Sequence, residues 1–328
     1  MHCFLRNIKL VFLVLLIRKN KLRIGHLSTA YHANFILMGE KNLQRDFNKE
    51  IRWKLFGTGP AMIEAFQNNK LDIGYMGLPP AIIGIDNEVP IKCVAGGHME
   101  GTIMVANKEY KTISDLKNNI SETFSQFKGC SIGVPSKGSL HDVILNFYLK
   151  KYNLLNDIDV KHYRQAEFIA IDMQKGILEG GVGTPALAVF SSTIFDSHLI
   201  IPPEFLWKDN PSYGIFFHEN IIEKEPEIVL KFLSHNKDAS LMLRESPSKA
   251  ANIISNTFEI LTESYVSEVL KISPKYCIAL SEGYIKSTME FVRTLKDLGY
   301  VKKELRVSDI FDLRFVQEVH PESEHYSK

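Results

Sequence analysis

The chain has 328 residues, of which 45 % are apolar and 23 % charged, the make-up of an ordinary globular protein. That excludes a disordered, collagen-like or disulfide-scaffold chain and leaves room for two domains or two lobes of one. Lys plus Arg number 39 and Asp plus Glu 38, a net charge of +1, so overall charge makes no case for nucleic acid as a partner.

In chain order, the first feature is an apolar run, Leu10 to Ile17, with Arg6 and Lys9 before it and Arg18, Lys19, Lys21 and Arg23 after it. It is too short to span a bilayer, which takes about 20 residues, but fits the core of a signal peptide. No small-x-small cleavage site follows, and positive charge on its far side opposes translocation. Residues 1–21 therefore read as a signal-like or anchoring segment, or as the product of a start placed too far upstream. Cys3, Cys93, Cys130 and Cys277 show no CxxC spacing and read as core thiols.

From Ile24 onward the sequence repeats itself. Ile24-Gly25-His26-Leu27-Ser28 leads to Ile36-Leu37, and Ile132-Gly133-Val134-Pro135-Ser136 leads to Ile144-Leu145. Leu71 to Pro79 matches Ile177 to Pro185 at nearly the same offset, and between these blocks Ile51–Phe56 and Val160–Tyr163 both read as strands entering helices. Each half thus reads strand–helix three times over, the pattern of βαβ units on a mostly parallel sheet. Right-handed crossovers put the carboxyl ends of the strands, and the helix starts that follow them, along one rim. Two such α/β lobes facing each other enclose a cleft lined by helix starts.

The rim loops fit that role. Ser28-Thr29-Ala30-Tyr31-His32, Gly57-Thr58-Gly59-Pro60 and Gly77-Leu78-Pro79-Pro80 belong to the first half. Ser136-Lys137-Gly138-Ser139, Gln165-Ala166-Glu167 and Gly183-Thr184-Pro185 belong to the second. Ser and Thr cap helices, Pro suits the first turn, and Gly lets backbone approach closely. Free N–H groups at converging helix starts bind small anions or carbonyl-bearing solutes. An acidic side chain at Gly59 or Gly138 is expected to block such a site while leaving the fold intact.

Beyond the repeats, Tyr213–His218 reads as a strand and the remainder as helices, opening at Pro226, Ser246-Pro247 and Ser281 and stopping at Gly299. This tail is expected to pack on the first lobe. Gly101–Ala106 and Tyr213–His218 are expected to be strands that cross between lobes and form a hinge.

The stretches Gly57 to Phe66, Leu71 to Ala81, His98-Met99-Glu100-Gly101-Thr102, Ile113 to Lys117, Ile132 to Pro135 and Gly299 to Lys303 together resemble the solute-binding proteins of the nitrate/sulfonate/taurine/bicarbonate class of ABC importers. The resemblance covers about residues 22 to 320. It implies a two-lobe periplasmic-binding-protein fold with a helical C-terminal tail, lobe one comprising 22–101 and 216–328 and lobe two 102–215. It also implies an extracytoplasmic, monomeric receptor that hands a small anionic or polar solute to a membrane permease and its ATPase, without cofactor or nucleic acid. With the rim loops, it makes Ser28, Thr29, His32, Gly57, Thr58, Gly59, Leu78, Pro79, Glu100, Ser136, Gly138, Ser139, Thr184 and Tyr213 the candidate ligand contacts. Two departures stand out. Thr184 replaces the acidic residue that often precedes the proline in this family, and Asn118–Phe127 looks like an inserted surface loop.

Catalysis finds little support. Of the 11 histidines, His26, His32 and His98 are placed to face the cleft, and His141 and His162 belong to a helix and a strand of the second lobe. The sequence reads as having no HExxH run, no histidine pair at metal-ligand spacing and no G-x-S-x-G elbow. Tyr31, Phe56 and Tyr213 are candidates for stacking on a flat ligand, with core packing as the alternative for Phe56. The competing reading is an enzyme on the same fold, like the synthases of thiamine pyrimidine or the menaquinone-pathway enzymes. The Cys-rich motif of the pyrimidine synthases is missing from the sequence.

Overall fold

A computed structural model describes residues 21–326 except Lys41 and Glu259, so the apolar N-terminal run and Cys3 lie outside the described residues. The first half runs β1 (Lys21–Leu27), α1 (Asn34–Glu40), α2 (Asn42–Asp46), β2 (Glu50–Phe56), α3 (Gly59–Gln67), β3 (Ile73–Met76), α4 (Leu78–Asp86) and β4 (Ile91–Met99). The second runs β5 (Ile103–Asn107), α5 (Ile120–Ser125), β6 (Ser131–Pro135), α6 (Leu140–Lys151), β7 (Asp159–Tyr163), α7 (Glu167–Gln174), β8 (Gly180–Gly183), α8 (Pro185–Ile194) and β9 (Ser197–Ile201). The chain returns through β10 (Pro211–His218). It ends in α9 (Glu219–Lys224), α10 (Pro226–Glu245), α11 (Pro247–Thr257), α12 (Glu263–Ile272), α13 (Glu282–Asp297), α14 (Val307–Ile310) and α15 (Arg314–Val319).

These strands form two sheets of one design, ordered β2-β1-β3-β10-β4 and β7-β6-β8-β5-β9. In each, the strand that opens the repeat lies between two parallel neighbours: β1 pairs with β2 and β3, and β6 with β7 and β8. The fourth position is antiparallel and is filled by β10 in one sheet and β5 in the other. The repeat is also visible in register, with Gly25 opposite Gly74 and Gly133 opposite Gly181. A Cβ at Gly74 would lie 2.8 Å from Met62 Sδ, and one at Gly181 2.5 Å from Ile169 Cγ2. Both positions therefore keep the sheet bare so that the crossover helix can lie close to it. The central strands β3 and β8 are buried throughout, as strands covered on both faces are.

Three expectations are corrected here. The lobes are joined by short connectors at 100–102 and 202–210 and not by crossing strands, because β10 lies whole in the first sheet from Pro211. The expected division at 215/216 would cut that strand. The two connectors are bonded to each other, Glu100 N–H donating to Asn210 O at 2.6 Å. Second, 118–127 is no surface loop. It contains α5, and Phe124 and Phe127 are fully buried, because they pack into the core beneath the second sheet. Third, the tail does more than cover lobe one. α11 packs on α1 and α15 on β4, yet α12 meets α8 and α13 meets α6 across the cleft. Cys93 and Cys277 are buried thiols, while Cys130 is half-buried.

Candidate functional site

Loops at the carboxyl ends of β1, β2, β3, β6, β7 and β8 converge on one cavity of about 90 Å³. Helix capping shapes them locally. Thr58 Oγ1 accepts from Ala61 N–H at 3.4 Å and Ser139 Oγ from Asp142 N–H at 3.3 Å, each closing one of the open donors of a helix start. Of the candidate contacts, Ser28, Thr29, His32, Gly57, Thr58, Gly59, Ser136, Ser139 and Thr184 line the cavity. Both lobes contribute.

The others stand elsewhere. Leu78 and Pro79 are buried in the first turn of α4, while their neighbours Gly77 and Pro80 face the cavity. Tyr213 lies one layer deeper. Its ring packs 3.8 Å, centroid to centroid, from that of His32, and its hydroxyl accepts from Ala33 N–H at 3.1 Å. Glu100 belongs to the hinge, in a left-handed conformation (φ 57°), with its carboxylate 2.6 Å from Lys275 Nζ. Gly138 has φ 77°, donates its N–H to Asp142 Oδ2 at 2.8 Å, and would put a Cβ 3.2 Å from Ile83 Cδ1 of the other lobe. It sits at the lobe–lobe contact, outside the cavity. An acidic residue at either glycine would therefore cost stability, since a Cβ at Gly59 would lie 2.6 Å from the Pro80 ring and Gly138 holds a left-handed φ that a side chain disfavours.

Sequence reasoning missed Arg164, His141, Ser212 and Tyr265, which also line the cavity. His141 is on a helix, as expected, but at its second residue, where it faces the cleft and its Nδ1 lies 3.1 Å from Thr102 Oγ1. Tyr265 arrives from α12 in the tail and donates to Ala186 O at 3.2 Å. Of the histidines placed to face the cleft, only His32 does. His26 packs edge-on against Phe35 and Trp53, and His98 Nε2 is 2.7 Å from Ser273 O.

The polar character of the site is specific. Thr29 Oγ1, His32 Nδ1 and Ser136 Oγ are buried without a hydrogen-bond partner, at a cost of about 1–3 kcal/mol for each such group. Two belong to the first lobe and one to the second, and all three residues border the same cavity. Burial, with the neighbouring His98, His26 and His141, holds His32 well below the usual imidazole range. Burial alone pulls His141 down to about 4. At neutral pH these rings are uncharged hydrogen-bonding groups, the cation lining the cavity is Arg164, and Glu167 in the first turn of α7 lines it as well. Among the described residues, the one grouping suited to a metal is Cys277, His320 and His325, which borders a different cavity. This corrects the expectation that the sequence holds no histidine pair at metal-ligand spacing, because His320 and His325, with four residues between them, have such a spacing and meet in the fold.

Two α/β sheets that exchange a strand, with helix starts from both closing on a polar cavity, define the two-lobe fold of periplasmic binding proteins. The chain belongs to the NMT1-like family, matched over residues 17–256. A protein of Brucella abortus (strain 2308) carrying a provisional binding-protein name is 21 % identical over 242 residues, 73 % of this chain and 72 % of that one. Among solved structures, the fold resembles the alkanesulfonate-binding protein SsuA of Xanthomonas axonopodis bound to MOPS. The TM-score is 0.73 at 16 % identity, covering 89 % of this chain and 98 % of that one. It equally resembles the periplasmic nitrate-binding protein NrtA of Synechocystis, with TM-score 0.74 at 11 % identity, covering 92 % and 88 %.

Proposed function

We propose that the protein is the solute-binding component of an ABC importer. In this reading it captures a small anionic or polar solute by closing two lobes and presents the closed form to a permease and its ATPase. The supporting observation is the set of unpartnered, buried polar atoms on both walls of one cavity: Thr29 and His32 on one side and Ser136 on the other. A solute bonded to all three favours the closed state over the open one, which is the differential affinity that closure requires. Arg164 at the wall favours a negative group. Two of the structures it resembles are named as binding nitrate or an alkanesulfonate, and the proposed ligand belongs to that range. Location outside the cytoplasm, a monomeric state and lobe boundaries at the two connectors complete the proposal. Among the described residues no helix is long and apolar enough to cross a membrane.

Calorimetry with nitrate, bicarbonate, taurine, an alkanesulfonate and a pyrimidine tests this reading. At least one anion or zwitterion should bind at micromolar strength, about −8 kcal/mol. Ser136→Ala and Thr29→Val should each weaken that ligand about tenfold yet leave the ligand-free protein equally or more stable, because each removes an unsatisfied buried hydroxyl. If no member of the panel binds, or the variants bind as the parent does, the assignment of this cavity fails.

A further inference from the structure

In the C-terminal tail, three residues from separate stretches of the chain meet. Cys277 lies between α12 and α13, His320 caps the end of α15, and His325 follows in the last described turn. Cys277 Sγ is 3.3 Å from His320 Nε2 and 3.6 Å from His325 Nδ1, and the two nitrogens are 3.2 Å apart. Cys277 and His320 are buried, and His325 is half-buried.

Such a triangle is hard to build from protons alone. A neutral ring nitrogen either donates or accepts and does not do both, so at least one edge must share a bifurcated proton. A single cation satisfies all three corners at once. With zinc–sulfur and zinc–nitrogen bonds of about 2.3 and 2.0–2.1 Å, tetrahedral angles separate two nitrogens by about 3.3 Å and sulfur from nitrogen by about 3.6 Å. The observed edges lie close to those values.

A fourth ligand is within reach. Glu322 Oε1 lies 3.7 Å from His320 Nε2, and the same carboxylate is 2.6 Å from Lys237 Nζ. A cavity of about 180 Å³ bordered by these residues also has room for water. The frame is fixed from outside the triangle: Tyr326 donates its hydroxyl to Cys277 O at 2.7 Å and Ala279 O at 2.8 Å, which holds the neighbouring His325 against Cys277.

We propose that Cys277, His320 and His325 form a structural zinc site that clasps the C-terminal segment to lobe one, with Glu322 or water as fourth ligand. One thiolate and two imidazoles suit zinc among the common divalent ions. Binding is balanced as a proton exchange: Zn²⁺ replaces the proton of the Cys277 thiol, and one H⁺ leaves per ion bound. The site shares no lining residue with the cleft, so the inference is independent of the solute reading.

Chelator-treated full-length protein titrated with Zn²⁺, and with Co²⁺ as its spectroscopic substitute, tests the site. One ion per chain should bind, Co²⁺ should give a thiolate-to-metal charge-transfer band with tetrahedral visible bands, and Zn²⁺ should raise the melting temperature. Cys277→Ser should abolish the charge-transfer band, whereas Cys3→Ser and Cys130→Ser should retain it. His325→Gln, at a half-buried position outside the sheet core, should fold normally and bind at least tenfold more weakly. The proposal is overturned if the parent protein shows no cobalt–thiolate band, if the band survives Cys277→Ser, or if His325→Gln binds like the parent.

Discussion

His98 and His141 are both buried, and burial pulls both imidazoles from 6.5 to about 4. The unfolded chain takes up their protons below pH 6.5, whereas the folded chain refuses them until about pH 4. Stability is therefore complete above 6.5 and is lost as the pH falls through that window. Each pH step across it costs about 1.4 kcal/mol, so the whole window removes on the order of 3 kcal/mol for each ring. Urea unfolding at pH 7 and pH 5 should show a clearly lower midpoint at pH 5, and His141→Asn should remove part of the difference. A flat profile would mean that neither ring is held neutral. The same two residues show what a sequence conveys at this scale. That His141 lies on a helix is local information, but that it faces the cleft depends on how α6 is set against the other lobe.

Among elements, the parts of the site that follow from local chemistry were legible and those made by long-range contact were not. Thr58, Ser139 and the prolines near such caps announce helix starts through neighbours a few residues away. Their sheet position follows from the βαβ rule, so the rim loops fall where expected. Tyr265 and Ser212 arrive from outside the repeats, and no local pattern marks their faces. Glycines divide in the same way. Gly59 is an element-packing residue, with the Pro80 ring 2.6 Å from where its Cβ would lie, while a Cβ at Gly57 would meet only Arg164 O of the opposite lobe, at 3.4 Å. Gly57→Val should therefore keep the melting temperature of the ligand-free protein within a few degrees, because nothing in its own lobe is displaced. It should weaken the cleft ligand at least tenfold by propping the rims apart. Gly59→Val should lose stability outright by overpacking, on the order of 1–3 kcal/mol. Thermal melts and calorimetry on the pair separate the two roles, and equal effects on both would refute the distinction.

For the whole molecule, the decisive balance is between hinge and latch. The connectors are tied together at Glu100–Asn210 and anchored by Lys275, contacts made between the connectors and the tail and not across the cleft. The opposite edge is held by contacts that exist only when the lobes meet. Tyr300 donates to Asp142 Oδ2 at 3.0 Å and Lys150 to Asp297 O at 3.2 Å. Asp142 is fully buried and also accepts from Gly138 N–H and Asn146 Nδ2, with His162 Nε2 2.8 Å from its Oδ1. Losing Tyr300 thus leaves its carboxylate satisfied within lobe two, and Tyr300→Phe should change the stability of the separate lobes little. What it removes is one hydrogen bond of the closed state, about 1 kcal/mol for a half-buried hydroxyl on a carboxylate. The apparent dissociation constant rises in inverse proportion to the closed fraction, so the ligand should bind more weakly, by about threefold if the two forms are equally populated without ligand and by about fivefold at most. Small-angle scattering of the ligand-free variant should show a larger radius of gyration than the parent, converging when ligand saturates both. Unchanged affinity together with unchanged dimensions would mean that this contact does not govern closure.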